Sequence, residues 1–493
     1  MNRRIRTFAL VSLACFALLL LQLGNLQVRQ ATALQHSTYE PTVYGGGPFE
    51  QARGEIVSAD GVVLAESIPT NDGYRYFRHY PEGPLFAAIT GYYDITASSA
   101  PYGMEAEYNQ FLSPNTPVVH NLNDVLTERT GTDSIEITVS AALQKVAAEA
   151  MGDYRGAVVA IVPRTGAILA AYSSPTYNPN ELSSGNKKEA AKYYESLDPS
   201  SGDSPLVNGV TAQRYPPGST FKVITTSAIF DHDPSLESFV AKDASSIALP
   251  DTVLRLHNFA YETCGGALAV DLAASCDTAY AEIGLKLGAP RLYEEATSFG
   301  FDKVPPIDLP ASEVIPAIFP SAGSFSDNVP GIAYSAIGQE NVAETALQDA
   351  LIAAAIADNG TIMTPHFLSR VVDAAGNVVE NYTPHPWLRA TSASTADQVR
   401  SLMLGVVLHG TASGVGFPSN LDVAAKTGTA QSANSACSDD WLIATAPAGP
   451  GQTPKVAVAA VVVQPAGYCD GTGALVAGPI VKAVLLAALG MGS

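Results

Sequence analysis

Basic residues are the scarce class in this chain. Its 493 residues include 27 Lys and Arg against 47 Asp and Glu, a formal net charge of −20. That balance argues against nucleic acid as a partner and against a polybasic lipid-surface binder. Cysteine is also rare, with five in the chain. No Cys-x-x-Cys, no His-Glu-x-x-His and no Walker loop occurs. A metal site or a bound cofactor therefore has no motif behind it, and none is expected. Internal repeats and low-complexity tracts are missing as well. Apolar material is plentiful at 47% of residues. That is ample for globular burial, and the length implies two or more domains.

The N-terminus sets the compartment. Arg3, Arg4 and Arg6 precede an uncharged run over residues 7–28. As a helix the run would span about 33 Å at about 1.5 Å per residue, enough to cross a bilayer. Arginines before it and acidic chain after it predict a single-pass anchor with residues 1–6 in the cytoplasm. The rival is a cleaved signal peptide, because Ala31-Thr32-Ala33 fits a small-x-small cleavage pattern. That pattern sits well past the most apolar stretch. Cys15 falls in the run, and Cys264, Cys276, Cys437 and Cys469 follow it. An even external count permits two disulfides. Nearness in sequence favours Cys264–Cys276 and Cys437–Cys469, against four unpaired buried thiols.

Residues 29–139 are turn-rich and polar. Arg53-Gly54-Glu55-Ile56-Val57 and Val62-Val63-Leu64-Ala65, joined by Asp60-Gly61, read as a small hairpin of a β-rich pedestal. From Ser140, a helix cap, the pattern turns helical to Met151. A hairpin follows, Ala157 to Val162 and Ala167 to Tyr172 around Pro163-Arg164-Thr165-Gly166. Asp271 to Leu287 reads as a helix with a break at Ser275. Residues 304–330 read as a long loop along a groove rim. Ala346 to Ala357 reads as a helix closed by Asn359-Gly360. Strands are expected at Val423 to Thr429, Trp441 to Ala446 and Val456 to Val463, then a helix from Val476 to Leu489. Strands at both ends of residues 140–493 imply an α+β domain whose sheet joins early and late chain.

Three stretches carry candidate chemistry. In Tyr215-Pro216-Pro217-Gly218-Ser219-Thr220-Phe221-Lys222 a run of breakers meets a helix start. Ser219 is expected in the first turn, where free N–H groups favour negative charge. Lys222 projects from the same face, and an amine beside a hydroxyl can activate a weak nucleophile. An N-cap serine and a solvated lysine would look the same. The second stretch is Ser275-Cys276-Asp277, uninformative alone. The third is Lys426-Thr427-Gly428-Thr429 on a strand edge, where Gly428 admits a close backbone and Lys426 offers charge to a carboxylate.

Ser-x-x-Lys, Ser-x-Asp and Lys-Thr-Gly in this order, behind an anchor, resemble the class B penicillin-binding proteins. The similarity is to the actinobacterial penicillin-binding protein A group. It extends through Gly156-Ala157-Val158-Val159-Ala160-Ile161 and Ile337-Gly338-Gln339. It implies a penicillin-binding, serine β-lactamase-like fold: an antiparallel sheet flanked by helices plus an all-helical lobe. It also implies a peptidoglycan D,D-transpeptidase. Ser219 would attack a D-Ala–D-Ala stem peptide with Lys222 as base. Ser275 and Lys426 would relay a proton. Backbone N–H groups of Ser219 and Thr429 would form the oxyanion hole. Lys426, Thr427 and Thr429 would hold the substrate carboxylate. β-Lactams would acylate Ser219, and a membrane glycan polymerase and division or elongation proteins would be partners. Asp277 stands where the family pattern has Asn. An ionised Asp only accepts hydrogen bonds and would favour a charged Lys222. A serine β-lactamase or β-lactam sensor, and a scaffold without catalysis, are the competing readings.

Overall fold

The computed structural model describes residues 7–8, 12–20, 52–70, 76–94, 99–113, 132–431, 437–464, 469 and 471–491. The chain divides into two units, residues 1–51 and 52–493. In the first, residues 12–20 are helical and expose Leu13, Phe16, Leu18, Leu19 and Leu20. Among the described residues no helix is long and apolar enough to cross a membrane. The rest of the 7–28 run, residues 9–11 and 21–28, lies outside the described residues.

The second unit is built on a five-stranded antiparallel sheet. Its order is Ala424–Gln431, Ser438–Ala446, Val456–Val463, Arg155–Ile161 and Ile168–Ser174. Early and late chain do meet in it. Every residue from Ala457 to Val462 is fully buried. The strand therefore has to be apolar on both faces, and period-two alternation disappears. Helix Ala346–Ala357 packs on it, as does helix Ala477–Ala488 together with Ala141–Met151. Each fully buried Val contributes about 1.5–3 kcal/mol relative to exposure. Ser140 caps its helix, accepting from the Leu143 N–H. Helix Ala346–Ala357 is buried over its whole length.

A second, six-stranded sheet runs Val378–Asn381, Leu368–Val372, Ser134–Ile137, Ile56–Val57, Val63–Pro69 and Tyr76–His79. The sequence assigns residues 29–139 to a separate pedestal. Two of the strands in this sheet nevertheless come from residues 368–381. Strand pairing over such a separation leaves no mark in a local pattern. Arg53 anchors the region by donating to the buried Glu105 carboxylate at 2.8 Å, beside Arg78. Burial alone would raise the pKa of Glu105. The two guanidiniums outweigh it and hold the carboxyl below its ordinary value.

The helical lobe contains Lys222–His232, Leu268–Ala273, Asp277–Leu287, Ala289–Ser298 and Val329–Ser335, packed in part on Ala393–Leu408. The stretch read as a rim loop, residues 304–330, differs from expectation. It includes short 3-10 turns at Ala311–Glu313 and Ala322–Phe325. Its Phe319 is buried and stacks on Phe221, ring centroids 5.3 Å apart. Buried aromatics inside a Pro- and Ser-rich stretch make it part of the floor beneath the Ser219 turn.

Candidate active site

Ser219 lies in a 3-10 turn, Gly218–Phe221, and the α-helix begins at Lys222. The turn is fixed from three sides. The Gly218 N–H donates to the Gly338 carbonyl at 2.9 Å. Trp441 Nε1 donates to the Pro216 carbonyl at 2.9 Å. Tyr215 and Glu344 exchange backbone hydrogen bonds of 2.9 Å each. Ser219 itself is half-buried, whereas Gly218, Thr220 and Phe221 around it are buried.

Ser275 sits between helices Leu268–Ala273 and Asp277–Leu287 with φ +55°. That left-handed conformation is unfavourable for a side chain other than glycine and concentrates at functional sites. It points the Ser275 hydroxyl at two amines. Lys222 Nζ donates to the Ser275 carbonyl at 2.7 Å, to its Oγ at 3.3 Å and to Asp277 Oδ1 at 2.6 Å. Lys426 Nζ donates to Ser275 Oγ at 2.8 Å and to the Thr427 carbonyl at 2.8 Å. The Ser275 oxygen thus uses both lone pairs as acceptor and keeps its own proton for a third partner. The disulfide Cys264–Cys276 ties this segment to the preceding loop. Cys437 and Cys469 are also bonded, beside the start of strand Ser438–Ala446.

Lys426 lies on the edge strand of the sheet. It is fully buried and turned toward Ser275. Thr427 Oγ1 pairs with Thr411 Oγ1 at 2.7 Å. Thr429 Oγ1 accepts from the Gly473 N–H at 3.3 Å. Gly428 does admit a close backbone, but the one it admits belongs to the Ser219 turn. A Cβ there would stand 2.6 Å from the Pro217 carbonyl oxygen. The glycine lets the edge strand and the serine turn approach each other.

Burial lowers the pKa of Lys222, against the opposing charge of Asp277 and, more weakly, Asp271. Burial, and then the charge of Lys222, push Lys426 well below its ordinary value. Two amines on one hydroxyl in a dry site do not both carry a full charge. Asp277 does raise the Lys222 pKa as the sequence implied, but desolvation is the larger influence and the net direction is down. Replacing Asp277 with Asn removes the opposing charge. The acidic limb of the acylation pH profile should then move to lower pH, since Lys222 loses its proton more easily. A limb that stays in place would remove this electrostatic account.

Asp271 is a neighbour that sequence reasoning missed. It is buried, neither of its carboxyl oxygens has a hydrogen-bond partner, and burial raises it to about 7 despite the nearby Lys222. In sequence it looks like any acidic residue at a helix start.

Residues 156–486 match the penicillin binding protein transpeptidase domain. Residues 53–134 match the penicillin binding protein A dimerisation domain. The peptidoglycan D,D-transpeptidase PbpA of Mycolicibacterium smegmatis is 34% identical, covering 98% of this chain and 99% of its own. That of Mycobacterium tuberculosis is 33% identical over 99% of both. The ceftriaxone acyl-enzyme complex of penicillin-binding protein A from M. tuberculosis superposes with a TM-score of 0.81 at 32% identity, covering 90% of this chain and 99% of that one. The two lysines that converge on Ser275 thus sit in a chain that belongs to the penicillin-binding protein transpeptidase family.

Proposed function

We propose that the protein is a serine D,D-transpeptidase that cross-links peptidoglycan stem peptides through an acyl-enzyme on Ser219. The observation that carries the reading is the meeting of Lys222 and Lys426 on the Ser275 hydroxyl, with Lys222 one helical turn after the half-buried Ser219. PbpA relatives that align end to end bear the same activity in their names. One structural neighbour is an acyl-enzyme of a β-lactam.

The proton inventory closes without an external base. Neutral Lys222 takes the hydroxyl proton as Ser219 attacks the carbonyl of the donor D-Ala–D-Ala. The oxyanion is met by the N–H groups of Ser219 and Thr429, each such donor contributing about 2.7–4 kcal/mol. Ser275 gives its proton to the leaving D-Ala amine, and Lys222 restores it across the 3.3 Å contact. An acceptor-stem amine then attacks the ester in the reverse order of proton transfers and the cross-link forms. Lys426 fixes Ser275 by donating to its hydroxyl oxygen. Thr429 and Thr427 are the parts of that strand nearer the substrate carboxylate. β-Lactams enter by the same first step.

Residues 7–28 act as a signal-anchor that leaves residues 52–493 outside the membrane, with exposed leucines over residues 12–20 in support. The β-rich region up to residue 139 serves as a pedestal that meets a glycan polymerase in division or elongation.

Adduct mapping tests the reading. After exposure to penicillin G, peptide mapping should place one acyl group, on Ser219, with a lifetime of hours. An adduct on another residue, or release within seconds as in a β-lactamase, would overturn it.

A further inference from the structure

Behind the serine turn lies a pair of acids that the reaction above does not use. Glu344 and Asp349 are both fully buried. Glu344 is tied to Tyr215 by the paired 2.9 Å backbone bonds, four residues before Ser219. Asp349 lies in the first turn of helix Ala346–Ala357, whose N-cap is Thr345. Among the described residues no N–H group donates to any of their four carboxyl oxygens. Each of the two carboxyls acts on the other's titration, and the hydroxyl of Thr220, the residue after Ser219, acts on both. Thr220 is buried too, and its hydroxyl donates to the Pro217 carbonyl at 3.2 Å.

Two ionised carboxylates without a donor are not sustainable in such a place. A proton between them replaces repulsion with a short O–H···O bond. We propose that Glu344 and Asp349 form a protonated carboxyl pair that holds Thr220, and through it the Ser219 turn, in the geometry needed for acylation. Neither touches the reacting atoms, so both are positioning residues. The inference rests on Ser219 being the acylated residue.

Charges from the packed elements do not alter this. Val456–Val463 and Thr361–Met363 carry none. Arg155 on Arg155–Ile161 is paired with Asp203, and Arg400 on Ala393–Leu408 with Asp397. Ser438–Ala446 adds Asp439 and Asp440. The surroundings that act on the pair are burial, each other and Thr220. Burial, the larger influence in both, raises Asp349 to about 8 and Glu344 well above its ordinary value. Between the unfolded value of 3.8 and about 8 the native Asp349 holds a proton that the unfolded chain has released, so its contribution to stability falls as pH rises through that window.

The test is the second-order rate of acylation by a fluorescent penicillin across about pH 6–10. The wild-type rate should decline above about pH 8 as negative charge enters the pair. Asp349→Asn should keep the neutral-pH rate to within about threefold and lose that decline. Asp349→Leu should lose about tenfold or more at pH 7. Superimposable profiles for wild type and Asp349→Asn, or equal losses in both variants, would overturn the proposal. The infrared difference between wild type and Asp349→Asn isolates the pair from other buried carboxyls such as Asp271. It should hold a protonated-carboxyl band that weakens as pH rises through about 8, and its absence would also end the idea. Failure of the wild type to acylate at all would count against the Ser219 reading instead.

Discussion

Replacing Lys222 with methionine should slow acylation of Ser219 by a β-lactam about 10²–10⁴-fold, the usual contribution of a general base. Methionine fills the buried channel of the lysine stem with similar volume, so the fold should survive. The loss has two sources. The amine that takes the serine proton is gone. Ser275 also loses the neighbour from which its proton is restored, 3.3 Å away. Asp277 would be left without its 2.6 Å partner, but its side chain is 18% exposed and can rehydrate. Stopped-flow or gel-based acylation rates, alongside a thermal melt, check the expectation. A rate within about tenfold of wild type, in a variant that melts normally, would move the base role to another group. Pairing the change with Asp277→Asn should recover stability and none of the rate.

Much of the scaffold follows from local pattern. Val456–Val463 and Ala346–Ala357 fall on the residues where continuous apolar runs placed them. The break at Ser275 appears as a left-handed residue between two helices. These features depend on neighbours in sequence. What could not be read depends on partners far along the chain. Lys426 looked like a charge facing substrate, yet its amine is spent on Ser275, 151 residues away. Asp271, Glu344 and Asp349 look like ordinary acids in sequence. Only the fold strips them of water and of donors. The Trp441 indole that steadies Pro216 is 225 residues distant from it. The same holds for strand Leu368–Val372, whose pairing with Ser134–Ile137 crosses what composition marks as a domain boundary. Local periodicity records which face is buried and says nothing of what it is buried against.

Gly338→Ala should sharply slow acylation while leaving every chemical group in place. Gly338 has φ +73°, and a Cβ there would stand 2.1 Å from the Gly218 carbonyl oxygen and 2.8 Å from Phe221 Cβ. The left-handed backbone costs a residue with a side chain about 1–2 kcal/mol. Overpacking adds about 1–3 kcal/mol. Neither obstacle is the far end of a flexible side chain, so relief requires the backbone to move. The backbone that must move runs directly into Ser219. It is also held by the 2.9 Å bond from the Gly218 N–H to the Gly338 carbonyl. Displacing a reacting group by about 1 Å can cost about 10²-fold in rate. The expected signature is a lowered melting temperature together with about a hundredfold loss of acylation, while Lys222, Ser275 and Lys426 are untouched. Gly376→Ala is the control, since that glycine also has a positive φ, +84°, but a Cβ there meets nothing within 4 Å. It should lose some stability and no acylation. If both alanine variants acylate at the wild-type rate, the contact between Gly338 and the serine turn is not what fixes the nucleophile.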